Sequence, residues 1–182
     1  MVKTKKKILQ EFKNLLDKHD MDKITVCDIA NNCNIKRQTF YYHFSNLNEL
    51  ISYGAKCYIN DIIEGKRFAT WQDKFEYILD NIKKDKDSFI RIILQKTSYD
   101  IGKCVYDIFE DNVREIIAGF KKEYNISIND EDFITSFYCF GLSGIVLKWF
   151  DNGMKEEPKI LVHKIDMIID GTTQRAFQKF AA

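Results

Sequence analysis

Ile8, Phe12, Leu15 and Leu16 recur at i, i+4, i+7 and i+8, which places one apolar stripe along a first helix. His19-Asp20-Met21-Asp22 interrupts the stripe. Thr25 stands three residues before Asp28, the spacing of a capping box, in which hydroxyl and carboxylate satisfy free backbone N–H groups. The helix opened there presents Val26, Ile29, Ala30 and Cys33 on one side. Asn34 follows, and asparagine is the residue other than glycine that best tolerates a left-handed backbone. A third helix begins near Lys36 and carries Phe40 and Phe44 inward. Residues 1–45 therefore read as three short helices with a tight turn between the second and third.

Downstream, Ser45-Asn46 followed by Glu49 reads as the cap of a fourth helix bearing Leu47, Leu50, Ile51, Cys57, Tyr58, Ile62 and Ile63, with Gly65 ending it. Trp71, Phe75, Ile78, Leu79 and Ile82 mark a fifth, and Asp87-Ser88 caps a sixth through Phe89, Ile92, Ile93 and Leu94. A seventh runs from about Gly102 to Tyr124. Asn129-Asp130-Glu131-Asp132 puts negative charge at the first turn of an eighth, where the helix dipole favours it, and Asn152-Gly153 stops that helix. Pro158 opens a ninth, with Ile160, Leu161, Ile165, Ile168 and Ile169. The fold class expected is all-α with about nine helices. It comprises a three-helix helix-turn-helix head over residues 1–46 and a helical body over 47–182, joined through a continuous helix around Leu47–Gly65.

Composition agrees. Eight glycines and one proline leave few turn signals in 182 residues, which favours long helices over many short strands. Hydrophobic residues at 45% and charged residues at 30% exclude disordered, collagen-like and disulfide-scaffold classes. The overall charge of +1 is uninformative, but its distribution is not. Residues 1–50 hold nine basic and six acidic side chains, whereas 51–182 hold 19 and 21, so a mildly basic head sits on a mildly acidic body. Cys27, Cys33, Cys57, Cys104 and Cys139 make an odd count without a C-x-x-C pair, and His19, His43 and His163 add no zinc spacing. Reduced thiols in a cytoplasmic protein, without metal or cofactor, are the expectation. No signal peptide is read from Met1–Lys7. The 18-residue stretch Phe133–Phe150 carries Thr135, Ser136, Ser143 and Lys148, so it reads as a doubly buried helix and not as a membrane span.

The second and third helices hold the candidate chemistry. Two helices joined by a three- to four-residue turn read DNA when several positions agree. Ala30 is small where the helices must cross, Asn34 sits at the turn, and Ile29, Ile35 and Phe40 supply a shared core. The outward face of the third helix is then Lys36, Arg37, Gln38, Thr39, Tyr41 and Tyr42. Arg and Gln form bidentate contacts to guanine and adenine edges, and hydroxyls suit phosphate. Two plainer readings stand beside this one: Tyr41-Tyr42-His43 as an ordinary packed helix end, and Cys27, Cys33 and His43 as a metal set, which Cys33 on the core side disfavours. No nucleophile with an orienting group stands at a recognisable spacing from His43, so no catalytic residue is assigned and an enzyme is not expected.

Thr25–Leu50, TVCDIANNCNIKRQTFYYHFSNLNEL, resembles the DNA-binding segment of the tetracycline-repressor (TetR) family. The resemblance lies in Ile29-Ala30, Asn34-Ile35, Thr39-Phe40-Tyr41-Tyr42-His43-Phe44 and Glu49-Leu50, within about the first 60 residues. It implies a transcriptional regulator, most often a repressor, that binds a palindromic operator in double-stranded DNA as a homodimer and senses an effector in its C-terminal domain. By motif position it implies Lys36, Arg37 and Gln38 as base readers. Thr25, Thr39, Tyr41, Tyr42 and His43 become phosphate or mixed contacts, and Lys3 a backbone contact from the N-terminal arm. Two positions depart from the family pattern: Asn34 stands where glycine is usual, and Leu47 where a phosphate-binding lysine is usual, with the Lys5–Lys7 cluster as a possible substitute.

Phe137–Pro158, FYCFGLSGIVLKWFDNGMKEEP, is similar to a TetR branch that includes regulators of dihydroxyacetone kinase genes. That similarity implies pairing of the last two long helices across a dimer, with Phe137, Phe140, Gly141, Gly144, Ile145, Trp149, Ile165 and Ile169 at the interface. It also keeps open an activator controlled by a protein co-regulator instead of a small-molecule effector. From a different class, a helical carrier or enzyme that merely kept the fold is the rival. The sequence assigns no effector-pocket residues.

Overall fold

The computed structural model describes residues 2–86, 124–169 and 171–181, together with Gly102, Val105, Tyr106, Glu110, Val113, Arg114, Ile117 and Ala118. Among the described residues there are helices and turns and no strands. Helix α1 covers Val2–Leu16 and buries Ile8, Leu9, Phe12 and Leu15. The interruption at His19–Asp22 is a change of hydrogen bonding: a 3-10 turn, Met21–Lys23, follows the last helical bonds. Helix α2, Val26–Asn32, opens on the expected capping box, in which the Thr25 hydroxyl accepts from the Asp28 backbone N–H and the Asp28 carboxylate accepts from the Thr25 backbone N–H at 2.9 Å.

Asn34 adopts φ +52°, the left-handed conformation expected for the turn. The Asn34 and Ile35 N–H groups close back onto the carbonyls of Asn31 and Ala30, both at 2.9 Å, so the helix end is satisfied as the chain reverses. Helix α3 covers only Arg37–His43. Seven residues do not hold a helix in water by themselves. Burial of Phe40 and Phe44, worth about 1.5–3 kcal/mol each, fixes it to the core formed by α1, α2 and the start of α4.

Helix α4, Leu47–Ile63, is capped by Asn46, whose side chain accepts from the Glu49 N–H, while the Glu49 carboxylate accepts from the Ser45 N–H. Leu50 and Ile51 belong to the first core and Ile59 to the second, so α4 is shared by both. Gly65, at φ +71°, turns the chain after it. Helix α5, Trp71–Lys84, starts on a second capping box, Thr70 with Asp73. The expected helices from Asp87 and from Gly102 to Tyr124 fall largely outside the described residues, although the eight described between 102 and 118 are helical.

Helix α6, Ile128–Asp151, is capped by Ser127 and ends in a left-handed reversal, with Gly153 at φ +70° and the Met154 N–H on the Trp149 carbonyl at 2.8 Å. Helix α7, Pro158–Ile169, packs along α5, where Gln72 donates to Asp166 at 2.8 Å and Lys83 pairs with Glu157 at 2.7 Å. Helix α8, Thr172–Phe180, was not expected; it inserts Phe177 completely into the second core. Its composition is polar, but Thr173, Ala176, Phe177 and Phe180 recur at i, i+3, i+4 and i+7 and mark one edge for burial.

By length and composition α6 could cross a membrane, but 44% of its most apolar window is buried within the protein itself. Ile134, Cys139, Leu142, Val146, Trp149 and Phe150 face the second core. Phe133, Phe137 and Phe140 on the other side are 63%, 68% and 69% exposed, so the single chain covers one of the two apolar sides. Cys27, Cys33, Cys57 and Cys139 are free thiols, and burial pushes Cys139 up to about 11, which keeps it protonated at neutral pH.

Candidate nucleic-acid interface

The helix-turn-helix face is built from the core outward. Ile29, Cys33 and Phe40 are fully buried and Ala30 nearly so, which lets α2 and α3 cross closely. With Phe40 and Phe44 committed inward, their rings 5.8 Å apart, the opposite side of α3 is set. Lys36, Arg37, Gln38, Tyr41 and Tyr42 are exposed there and Thr39 is half-buried. Lys36 is the N-cap of α3, in an extended conformation, so the face begins at the helix entrance. From Ile29 to Asn48 the chain has no carboxylate, so nothing within that run offsets Lys36 and Arg37. A convex, cationic, amide- and hydroxyl-bearing helix of this size fits a major groove.

The remaining expected contacts divide. Lys3 is exposed on the first turn of α1. Thr25 is exposed, but its hydroxyl donates to the Asp28 carboxylate at 2.6 Å, so capping engages it first. That bond and the Thr25 backbone N–H hold the Asp28 carboxyl below the usual carboxylate range. His43 is not brought onto the face: it is 8% exposed, with Nδ1 buried and unpartnered and Tyr42 packed edge-on at 5.1 Å.

Two lysines of the N-terminal cluster are used internally. Lys7 Nζ donates to the Cys33 carbonyl at 2.9 Å, capping the C-terminus of α2. Lys5 Nζ lies 5.0 Å from the Phe44 ring centroid and 5.5 Å from that of Tyr53. Lys5 and Lys7 are therefore corrected from backbone substitutes to ties between α1 and the rest of the head. Leu47 packs on the same core.

On the expected dimer face, Phe137, Phe140, Gly141 and Gly144 are exposed, and nothing lies within 4 Å of where a Cβ on either glycine would stand. Ile145 and Ile169 are half-buried against the second core. Trp149 and Ile165 are corrected: both are 3% exposed and belong to the core of the single chain. The helical period explains this, because Trp149 follows Leu142 and Val146 on the inner side, while the outer stripe runs through Phe133, Phe137, Phe140 and Gly144. Trp149 also donates its indole N–H to the Glu156 carbonyl at 2.9 Å. The sequence reading missed Met167 and Phe180, and passed over the outward direction of Ile160 and Ile168, although Ile160, Met167 and Ile168 stand at i, i+7 and i+8; Phe133 is exposed on the same side as Phe137. A cavity also lies in the body, lined by Phe68, Trp71 and Phe75 from the segment that opens α5 and closed by residues distant in sequence, Tyr138 among them, so no local pattern announced it.

Comparisons with known proteins bear on both parts. A family model described as bacterial regulatory proteins, tetR family, matches residues 8–53. A second, described as transcriptional regulator C-terminal region, matches residues 69–171. The biofilm operon icaADBC HTH-type negative transcriptional regulator IcaR of Staphylococcus aureus is 27% identical over 140 residues, covering 71% of this chain and 75% of its own. The uncharacterized HTH-type transcriptional regulator YxbF of Bacillus subtilis is 22% identical, over 93% of this chain and 45% of its own. Among solved structures, the dihydroxyacetone kinase operon activator DhaS superposes with a TM-score of 0.56 over the whole of both chains at 20% identity. The TetR family repressor AlkX from Dietzia sp. gives 0.54 at 16% identity, over 94% of this chain and 98% of its own. At these identities the structural likeness is one of fold.

Proposed function

The chain belongs to the TetR family of bacterial transcriptional regulators, and from that premise we propose that it is a homodimeric repressor that binds a palindromic operator and is controlled by a small ligand held in its helical body. The observation that carries the reading is the exposed Lys36-to-Tyr42 face on a helix whose opposite side is completely buried. Lys36, Arg37 and Gln38 read base edges, Thr39, Tyr41 and Tyr42 contact the backbone or bases, and Lys3 adds a phosphate contact. The sign of regulation follows IcaR, which is named a negative regulator. The protein works in the cytoplasm, where its DNA is, and does so by binding, without catalysis.

Two heads must lie about 34 Å apart, one DNA turn, to enter successive major grooves. The outer stripe of α6 supports pairing with a second copy, since Phe133, Phe137 and Phe140, like Met167 and Ile168 of α7, are large apolar side chains that a monomer would leave wet. The functional division is a reading head over residues 1–46 and an effector-binding and dimerisation body over 47–182, supported by the two hydrophobic cores that meet on α4. A ligand acts by binding more tightly to a state with a different head spacing, and so lowers operator affinity.

Selection of bound fragments from sheared source DNA, at near-physiological salt, tests the reading. Recovery of a palindromic sequence is expected. Recovery of only salt-labile, sequence-random DNA, or of none, overturns it.

A further inference from the structure

Helix α4 is gripped along both halves, and the two grips differ in kind. Its first half carries the head: Leu50 and Ile51 lie in the first core, and Tyr53 packs on Phe44 with ring centroids 5.5 Å apart. A Cβ at Gly54 would stand 2.7 Å from Leu9 Cδ1, so α1 lies close against α4. The direction of α4 therefore sets where the reading face of α3 points. The second half meets α5. Tyr58 lays its ring on the second core and donates its hydroxyl to the Asp85 carboxylate at 2.5 Å, with the Asn81 carbonyl at 3.3 Å. Both acceptors stand at the C-terminal end of α5. That helix is itself tied to α7 near each end, through Gln72 with Asp166 and Lys83 with Glu157. Burial, and then the bond to Asp85, push the Tyr58 hydroxyl above the usual phenol range, so it remains a donor.

The bond acts on a lever. Measured from Ile63, where α4 ends, Tyr58 lies about 7.5 Å along the axis and Leu47 about 24 Å. A tilt about that end which draws Tyr58 about 1 Å from its acceptors moves the start of α4, and the head with it, by about 3 Å. Successive base pairs stand about 3.4 Å apart. Apolar contact between α4 and α5 is non-directional and tolerates such a tilt, whereas a hydrogen bond lengthened by about 1 Å is broken. We propose that Tyr58 is a positioning residue for operator choice: its hydroxyl, held at the end of α5, fixes the tilt of α4 and so the half-site separation that the dimer accepts. A site one base pair too long or too short then requires the bond to open in one or both protomers. The inference rests on the dimeric operator reading above and adds the residue that sets its spacing.

The test uses the palindrome recovered by fragment selection, with its centre lengthened or shortened by one base pair. Tyr58→Phe keeps the ring and removes the hydroxyl. It is expected to lower the preference for the native spacing by about threefold or more, chiefly by binding the altered sites better. Lost stability alone would weaken all sites alike, and affinity for a single half-site is expected to stay as in wild type. Asp85→Asn keeps an acceptor and is expected to retain the wild-type preference. Asp85→Ala leaves the Asn81 carbonyl and is expected to relax the preference by less than Tyr58→Phe, and to add nothing to it. Without DNA, dipolar spectroscopy between spin labels on a non-canonical residue at exposed Lys18 of each protomer is expected to show a broader head-to-head distance distribution in Tyr58→Phe. An unchanged spacing preference or distance distribution in Tyr58→Phe, or further relaxation when Asp85→Ala is added to it, overturns the proposal. Failure to recover a palindrome, or absence of any head-to-head distance in the wild type, overturns the dimeric operator reading and this inference with it.

Discussion

At the scale of single residues, basic side chains close together in sequence do different work. Arg37 points out from α3, and Arg37→Ala is expected to relax operator specificity at one base position by about 1–3 kcal/mol. Competition between single-base-pair operator variants measures this; an unchanged profile would remove Arg37 from base reading. Lys3 and Lys7 lie on one helix, yet Lys3 faces solvent and Lys7 caps α2 through the Cys33 carbonyl. Lys3→Ala is expected to reduce the slope of log affinity against log salt by about one, for all DNA sequences alike. Lys7→Met is expected to cost about 1 kcal/mol of stability in urea denaturation. The salt slope should then stay as it was; a reversal of the two phenotypes would exchange the roles.

At the scale of elements, short helices are held by their ends as well as by their packing. Helix α2 has seven residues, and the Thr25–Asp28 box closes its N-terminus. Thr25→Ala is expected to cost about 1 kcal/mol. The box also has a pH signature. Asp28 is held in its charged form by the Thr25 hydroxyl and then by the Thr25 N–H, so its folded pKa lies below its unfolded one. Such a group contributes stability above the unfolded pKa, and the contribution is lost as pH falls through the folded pKa. The difference in melting temperature between wild type and Thr25→Ala should therefore shrink in acid. A gap that stays constant down to strongly acid pH would mean that Asp28 plays no part in the cap.

At the scale of the whole molecule, one chain leaves aromatic side chains of α6 and aliphatic side chains of α7 in water. Phe137→Glu with Phe140→Glu places two charges on the outer side of α6 at positions more than two-thirds exposed and outside the buried cores. The expected result is a folded monomer in sedimentation, with operator affinity lowered because two half-sites no longer act together. A dimer that persists would place the interface elsewhere on the body.

What the amino-acid order alone determined is chiefly local. The caps at Thr25, Asn46 and Thr70, the left-handed Asn34 and the stripe Ile8-Phe12-Leu15 each act within one helical turn or two, so their meaning does not depend on distant chain. The reading face of α3 was legible for the same reason: Phe40 and Phe44 commit one side, and the other follows. Tertiary structure decided what periodicity leaves open. Helix α6 is apolar all round, so its pattern could not tell that Trp149 turns inward and Phe133 outward; only its neighbours choose. A lysine stem reaches several ångströms in any direction, and only the placement of α1 against Cys33 and Phe44 shows where Lys7 and Lys5 end. The cavity depends on tertiary structure most of all, because the segment from Ile63 to Ile78 meets Leu142, Tyr138 and Thr173 only when the helices pack.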